Sequence, residues 1–346
     1  MIINQPKYLD DLQQAIRYVE IPNEASVLIT GATGLIGSFL MDAFFYSNQT
    51  NEKQIKITGT SRHLDKLKAR FSYAADFSWM RLVARDATDP IPEHENYDYI
   101  IHLASNADPR SYALYPAETI ITNILGTLNI LNYAKTHVNT RVLLASTFEV
   151  YGSIPEAENF LEENYGRIDF NQIRSGYPES KRTAELLIRS FVEEYNVNAV
   201  IARLSSIYGP TMANSDNKAA AQFIRKAIAK KNIVLKSKGE QCRSYCYVAD
   251  AASGILAALC RGSSGEAYNV CNPACEITIA ELAQIAASIA GTRVIYDLPD
   301  ELELKGFSKQ QNSVLNADKL ISLGFKPRYS AEKGMRQAIE ILCMDH

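Results

Sequence analysis

The chain has 346 residues, enough for two lobes or for one large α/β domain with an appendage. Its 47% hydrophobic and 22% charged residues are typical of a soluble globular protein, and no run of about 20 apolar residues could cross a bilayer. The net charge of -3 gives no general attraction to nucleic acid or anionic lipid, so we expect a small-molecule partner.

The first residues, MIINQPKYLDDLQQ, lack the basic start and the apolar stretch of a signal peptide, which favours a cytoplasmic location. Six cysteines occur at positions 242, 246, 260, 271, 275 and 343. Their two CxxxC spacings fit neither the usual CxxC zinc pattern nor a small secreted disulfide scaffold. We therefore expect reduced thiols and no metal site.

Residues 1–24 form an extension before the first convincing strand, with a weak helical pattern through Leu9, Leu12, Ile16 and Val19. We expect this extension to pack on the outside of the protein. From residue 25, β-rich runs alternate with helical segments, and the predicted strands are Ser26 to Thr30, Ile55 to Thr60, Met80 to Ala84, Tyr97 to Leu103, Arg141 to Ser146 and Asn198 to Leu204. This alternation predicts a parallel sheet covered by helices.

The simple alternation fades after Tyr208-Gly209-Pro210, where Gly and Pro recur at irregular intervals. The change divides the chain into a domain over residues 25–205 and a smaller lobe mainly over residues 206–346. We expect the chain to return to the first domain near residues 233–260.

A glycine-rich loop with the spacing GxxGxxG lies between the first predicted strand and the next helix. Glycines there let the backbone approach a pyrophosphate, whose charge is favoured by the helix N-terminus. A structural turn is the alternative. The loop predicts an α/β, Rossmann-type doubly wound parallel sheet with a smaller C-terminal α/β substrate lobe, and its predicted cofactor-binding residues are Gly31, Thr33, Gly34, Leu35, Ile36 and Gly37.

The end of the second predicted strand bears on which cofactor is bound, because an acidic residue there contacts the ribose of NAD and an arginine accommodates the 2′-phosphate of NADP. Ser61 and Arg62 occupy this place, and no carboxylate follows until Asp65. This pair is compatible with NADP. A solvated arginine on a loop is the alternative.

Tyr177 and Lys181 form a YxxxK motif at the start of an amphipathic helix, where a four-residue step places both side chains on one face. A nearby ammonium favours phenolate and would let Tyr177 accept a hydroxyl proton. Upstream, Thr147 and Glu149 follow the fifth predicted strand, at the edge where ligands of such sheets bind. We expect Thr147 to bond a substrate hydroxyl and Glu149 either to cap the backbone or to perform proton chemistry.

The combination of TGATGLIG, HLAS at 102–105, STFEVYG at 146–152 and YPESK at 177–181 resembles the extended short-chain dehydrogenase/reductases that act on sugar nucleotides. The resemblance runs from about residue 26 to residue 330, and it implies further cofactor contacts at Asp86, Ala87, Leu103, Ala104, Ser105 and Asn123. Within that family, IIHLASNADP, NILGTLNIL and IRSGYPESKR are most similar to UDP-glucuronate decarboxylases.

This resemblance implies a bound NAD that takes hydride from C4 of the sugar while Tyr177 takes the hydroxyl proton, giving a 4-keto intermediate. It also implies that Thr147 and Glu149 act near C5 of the sugar. The predicted substrate contacts are Arg174, Ser206 and Arg243, and the likeness to the decarboxylases implies a UDP-linked sugar nucleotide. The family's 4,6-dehydratases have Asp-Glu where this chain has Phe148-Glu149, which disfavours dehydration.

Three departures from the decarboxylases leave the exact reaction open: Ser206 replaces their Asn, Gln311 replaces a substrate-contacting Arg, and Ser61-Arg62 replaces an acidic residue. The alternatives are a nucleotide-sugar 4-epimerase, an NADP-dependent keto-sugar reductase and a nucleotide-binding sensor without activity. Helices within residues 123–133 and 177–195 resemble those that pair in the family's dimers, so we expect a homodimer.

Overall fold

A seven-stranded sheet forms the centre of the computed structural model, which describes residues 2–51, 53–107, 109–154, 159–297 and 313–344. All six pairings in this sheet are parallel, in the order β10-β6-β5-β4-β1-β2-β3. Its strands are β1 Ser26–Thr30, β2 Lys56–Ser61, β3 Met80–Ala84, β4 Tyr99–His102, β5 Arg141–Thr147, β6 Asn198–Leu204 and β10 Ala267–Val270. The predicted doubly wound fold is confirmed, and each of the six predicted strands overlaps one of β1 to β6.

Helices cover both faces of this sheet because its strands bury side chains alternately on each face. In β1, Val27 and Ile29 join the core formed with helices α2 and α8, whereas Leu28 joins the core formed with α5 and α6. The helices of this domain are α2 Leu35–Thr50, α3 Leu64–Arg70, α4 Pro109–Leu114, α5 Pro116–Thr136, α6 Gly176–Tyr195 and α8 Val248–Arg261.

A smaller lobe is built from two short sheets and three helices of the described residues. One sheet has the order β11-β9-β7, and the other pairs β12 with β8. The bounds are β7 Ser206–Tyr208, α7 Ala219–Ile228, β8 Ile233–Leu235, β9 Cys242–Tyr247, β11 Glu276–Thr278, α9 Ile279–Ala290, β12 Val294–Tyr296 and α11 Ala331–Cys343. The short helix α10, Asp318–Ser322, packs against β10 and α8 of the large domain. The chain returns to the large sheet through α8, which falls within the expected range 233–260, and then through β10, whereas β8 pairs within the smaller lobe.

The N-terminal extension forms helix α1, Pro6–Ala15, which packs against α2, α8 and α11. Tyr8 and Leu12 are completely buried, so the packed extension contributes side chains to the core. Its Asp11 is also buried and accepts hydrogen bonds from the hydroxyls of Tyr247 and Tyr329, at 2.5 and 2.6 Å. Through these contacts α1 is bonded to the end of β9 and to the segment that precedes α11.

The buried Asp11 should make stability depend on pH. Burial raises its pKa to about 7, well above the usual value of an aspartate, although hydrogen bonds from Tyr247 and Tyr329 oppose this. Between about pH 4 and pH 7 the folded chain therefore holds more protons at Asp11 than the unfolded chain, so this residue's contribution to stability falls as the pH rises.

We expect Asp11→Asn to lack this fall in stability. The free energy of unfolding of the variant, relative to that of the parent, should therefore rise by up to about 4 kcal/mol between pH 4 and pH 8. Urea unfolding at several pH values measures the difference. Asp10→Asn is the matched control, because Asp10 is exposed on the same helix. Parallel pH profiles for the parent and Asp11→Asn would contradict the prediction.

Candidate active site

A cavity of about 690 Å³ lies where the carboxyl ends of β1, β4, β5 and β6 face the smaller lobe. This edge is the one at which open parallel sheets bind ligands. Most of the predicted site residues line it, namely Gly31, Gly34, Leu35, Ile36, Gly37, Leu103, Ser105, Thr147, Glu149, Arg174, Tyr177, Lys181, Ser206 and Arg243. The fold thus brings the glycine loop, the YxxxK motif and two strands of the smaller lobe to one cavity.

The glycine loop at one end of this cavity has the close backbone packing that a pyrophosphate site needs. Gly31 has a φ of 69°, and a Cβ there would lie 2.9 Å from the nitrogen of Ala104. A Cβ on Gly37 would lie 2.3 Å from the oxygen of Gly31. The first turn of α2 opens on the cavity, so its free amides and the helix dipole suit an anionic diphosphate.

We expect Gly37→Ala to weaken NAD binding by about tenfold or more, because overpacking of this kind costs roughly 1–3 kcal/mol. Fluorescence titration with NAD measures the effect, and circular dichroism checks the fold. Gly34→Ala is the matched comparison: its φ is -76° and its Cβ would lie 3.3 Å from the Gly31 oxygen, so the loss should be smaller. Equal affinities in both variants and the parent would refute the role of the loop.

The residues predicted to read the ribose lie beyond the lining of the cavity. The hydroxyls of Thr33 and Ser61 are 3.2 Å apart. The guanidinium of Arg62 donates to Glu118 at 2.6 Å, and its Nε lies 3.9 Å from Asp86. Two carboxylates therefore already neutralise Arg62, which weakens the interpretation that it accommodates a 2′-phosphate.

Asp86 is held as a carboxylate at the end of β3. Burial opposes its ionisation, but hydrogen bonds from the amide and hydroxyl of Thr88, together with the charge of Arg62, keep the pKa of Asp86 below its usual value. The neighbouring Ala87 lies beside Gly126 of α5. The ring of His102, the last residue of β4, lies beside Gly126 as well, so the 86–87 turn and the end of β4 approach the same point of α5.

The loop after β4 is anchored from both sides. Thr30 accepts hydrogen bonds from the amides of Leu103 and Ala104, both at 3.2 Å. On the other side, Ser105 donates to Asn123 at 2.7 Å, and Asn123 donates to Ser180 at 2.9 Å. Asn123 is buried and does not line the cavity, so it connects this loop to helix α6.

Tyr177 and Lys181 lie on the first turns of α6, against the end of β5. Tyr177 is 6% exposed and shares a hydrogen bond with Thr147. Lys181 is 3% exposed, and its ammonium donates to the carbonyl oxygen of Ala145 at 2.9 Å. The predicted juxtaposition of Thr147, Tyr177 and Lys181 is therefore present in the structure.

The charges around Tyr177 differ from the expectation that Lys181 lowers its pKa. Burial raises the pKa of Tyr177 well above its usual value, the charge of Glu149 raises it further, and the bond with Thr147 opposes both. Burial lowers the pKa of Lys181 to about 8, against the charge of Glu185. The physical reason is that Lys181 donates to the strand backbone, while the carboxylate of Glu149 is the stronger influence on the phenol.

Glu149 belongs to a cluster at the open side of Tyr177. Its carboxylate pairs with Arg174 at 3.0 Å and accepts a hydrogen bond from the hydroxyl of Tyr112 at 3.4 Å. The ring of Tyr112 stacks on that of Tyr177, with centroids 4.8 Å apart. The side chain of Glu149 thus makes contacts within the cavity, which favours proton chemistry over backbone capping.

The aromatic residues of the cavity lining that were not predicted are Tyr112, Phe160 and Tyr245. Tyr112 comes from the short helix α4, and no motif indicates that its ring meets Tyr177. Tyr245 lines the cavity two residues after Arg243 on β9, so the period of two in a strand could have indicated it. Phe148 also lines the cavity and offers no acid beside Glu149, whereas Gln311 lies outside the described residues.

The described residues contain neither a cluster of metal-binding side chains nor a helix that could span a membrane. Within the described ranges, no group of three or more His, Cys, Asp or Glu side chains could hold a metal ion. All six cysteines are free thiols. Among the helices that the structure describes, none is both long and apolar enough to cross a membrane.

The fold and the site together define the class of protein: the chain belongs to the NAD dependent epimerase/dehydratase family, whose model matches residues 27–271. The family resemblance seen in the sequence is confirmed, and the cofactor of this family is NAD. The protein is thus an enzyme of nucleotide-sugar metabolism.

Among characterised relatives, the chain is similar to UDP-glucuronic acid decarboxylase 6 of Arabidopsis thaliana, with 32% identity over 89% of this chain and 86% of the relative. Its fold is similar to that of UDP-glucuronic acid 4-epimerase from Bacillus cereus, solved with UDP-glucuronic acid and NAD, with a TM-score of 0.77 at 20% identity over 93% and 100% of the two chains. A dTDP-glucose 4,6-dehydratase from Bacillus anthracis, solved with NAD, has a TM-score of 0.76 at 21% identity over 92% and 96%. These two structures support the fold alone.

Proposed function

We propose that this protein oxidises C4 of a UDP-linked sugar nucleotide with a bound NAD to a 4-keto intermediate. It then decarboxylates this intermediate and returns the hydride from the reduced cofactor to C4, as in a UDP-glucuronate decarboxylase. The observation that carries this proposal is the placement of Thr147, Tyr177 and Lys181 on one cavity with the glycine loop. A sugar bound in this cavity would have its hydroxyl beside Tyr177, the proton acceptor, and its carbon beside the cofactor held by the glycine loop.

The glycine loop, residues 31–37, would hold the pyrophosphate of NAD, and the turns at Ser61 and Asp86 would adjoin its ribose. When bound, NAD supplies the hydride acceptor. Tyr177 takes the proton of the C4 hydroxyl, and Thr147 holds that hydroxyl in place. Lys181 lies one turn further along α6, where the carbonyl of Ala145 accepts a hydrogen bond from its ammonium, and it would place a positive charge at the same end of the cavity.

Glu149 and Arg174 would act after oxidation. In a uronate the 4-keto group makes the C5 carboxylate part of a β-keto acid, which loses CO₂ and leaves an enol that must gain a proton at C5. A carboxylate next to Tyr177 can relay that proton, and the paired Arg174 can contact the anionic sugar. On the far wall, Arg243 suits a diphosphate because it offers several donors in one plane, and Ser206 adjoins the sugar.

The second candidate is 4-epimerisation, which shares the oxidation step but returns the hydride to the other face of the ketone. It is favoured by Gln311, which stands where the decarboxylases have a substrate-contacting Arg, and by Ser206. A net reduction with NADPH is less favoured, since Arg62 is already paired with Glu118 and Asp86.

Product analysis separates these possibilities. The purified enzyme is incubated with UDP-glucuronate and with other UDP, dTDP, GDP and CDP sugars, without added cofactor, and the products are identified by mass spectrometry and NMR. A decarboxylase yields UDP-xylose and CO₂, whereas an epimerase yields an isomer of unchanged mass. Turnover that requires stoichiometric NADPH would overturn the proposal of an internally recycled cofactor.

A homodimer is the assembly we propose, through the outer face of helices α5 and α6. These helices pack side by side and bury Ile130, Ala184 and Ile188 inward. Their outer face exposes Leu125 and Leu186, at 42% and 64%. Apolar side chains that project from two adjacent helices suit a symmetric four-helix contact.

We expect Leu186→Glu to convert the dimer to a monomer, because the charge would be buried without a partner at the contact. Size-exclusion chromatography with light scattering measures the mass. Val138→Glu is the control, since Val138 is exposed but lies beyond the end of α5. A monomeric parent protein, or a dimer that survives Leu186→Glu, would contradict this assembly.

A further inference from the structure

Three successive residues at the end of β5 are each bonded to helix α6, at steps of four residues along the helix. Thr147 is bonded to Tyr177, the carbonyl of Ala145 accepts from Lys181, and the hydroxyl of Ser146 donates to Glu185. Glu185 thus continues the line that begins with the YxxxK motif. The contacts of Tyr177 and Lys181 belong to the proposed chemistry, whereas the contact between Ser146 and Glu185 lies outside it.

Glu185 is a buried charge, with only 5% of its surface exposed. It accepts hydrogen bonds from the guanidinium of Arg203 on β6, the shortest at 2.7 Å. Arg203 is itself buried and also donates to the carbonyl of Glu162 at 2.7 Å. A buried ion pair satisfied by further hydrogen bonds holds its geometry firmly, and removal of one partner leaves an uncompensated charge.

The position of Glu185 matters for the charge of Lys181, one turn earlier on the helix. Burial destabilises the Lys181 ammonium, and Glu185 is the group whose charge opposes this. The other titratable groups around Lys181 are Tyr177 on α6 and His102 at the end of β4, while Arg203 lies beyond Glu185. Burial, with the charge of Lys181, lowers the pKa of His102 to about 3, so it is neutral near pH 7.

We propose that Glu185 is a positioning residue, whose carboxylate anchors Ser146 at the end of β5 against helix α6 and places a negative charge one turn from the ammonium of Lys181. This inference rests on the proposed function of Tyr177 and Lys181. It assigns Glu185 a task beyond stabilising the fold, because its charge acts on Lys181 while its hydrogen bonds act on the strand.

The test follows the titration of Lys181 directly, in protein labelled with ¹³C-lysine, with the Lys181 signal assigned by its loss in Lys181→Met. We expect Glu185→Gln to move this titration down by on the order of one pH unit. The alkaline limb of the kcat profile should move with it at unchanged KM. Glu193→Gln, the same change at an exposed position of α6, should leave both unchanged.

The double variant Glu185→Gln/Arg203→Met removes both charges of the pair and is used if Glu185→Gln does not fold. We expect it to fold and to keep the lowered Lys181 titration, whereas Glu185→Asp, which retains the charge, should restore the parent value. A folded Glu185 variant without the carboxylate but with an unchanged Lys181 titration would overturn the inference. If the parent enzyme turned over no sugar nucleotide, the proposed function would fail while the titration still decided the role of Glu185.

Discussion

Tyr177→Phe is expected to lower kcat by about 10²- to 10⁴-fold, which is the usual contribution of a positioned proton-transfer group. Phenylalanine retains the ring that stacks on Tyr112 but lacks the oxygen bonded to Thr147. Sugar-nucleotide binding should therefore persist while oxidation of C4 is lost. Steady-state turnover and the absorbance of reduced nicotinamide in a single turnover measure the two effects.

The matched control for this variant is Tyr165→Phe, because the side chain of Tyr165 is 89% exposed. It should turn over like the parent enzyme. Full turnover by Tyr177→Phe would exclude the phenol as the proton acceptor and with it the mechanism proposed above.

Glu149→Gln is expected to slow the steps after oxidation by about 10²- to 10⁴-fold, since glutamine keeps the shape but cannot relay a proton. The 4-keto intermediate should accumulate, and the bound cofactor should remain reduced during turnover. The substitution also leaves Arg174 without its carboxylate partner. Its guanidinium is then available to an anionic sugar, so binding of that sugar should not weaken. Product formation and nicotinamide absorbance, followed together, measure the effect.

Glu163→Gln is the control for Glu149→Gln because Glu163 is exposed. If Glu149→Gln formed product at the parent rate, Glu149 would have no part in the proton chemistry. Decarboxylation assisted by this carboxylate would then lose its support.

Local patterns were sufficient to predict the strands β1 to β6 and the dinucleotide loop, but not β10. The six predicted strands are short β-rich runs that alternate with helical segments, and the loop lies between β1 and α2, where a strand is followed at once by a helix. The YxxxK motif was also predictable, because a four-residue step on a helix brings Tyr177 and Lys181 to one face.

The surroundings of Tyr177 could not be predicted, because they depend on side chains that meet only in the folded protein. Tyr112, Glu149 and Arg174 are far apart in sequence, yet they form one cluster against the phenol. The direction of the pKa shift of Tyr177 follows from burial and from the charge of Glu149. Neither can be read from the motif itself.

The N-terminal extension shows the same limit. Its weak helical pattern predicted a peripheral element, but the pattern carries no sign that Asp11 meets Tyr247, Tyr329 and Gln337. Those partners lie more than 200 residues further along the chain. Long-range hydrogen bonds of this kind turn a peripheral helix into part of the core.

Transient reduction of bound NAD by UDP-glucuronate, followed at 340 nm in a single turnover with and without deuterium at C4, tests the central claim most directly. C4 oxidation predicts a rise in absorbance that is slower with the deuterated sugar, followed by a fall as product forms. No change in absorbance and no effect of deuterium, in an enzyme that nevertheless converts the sugar nucleotide, would contradict the account.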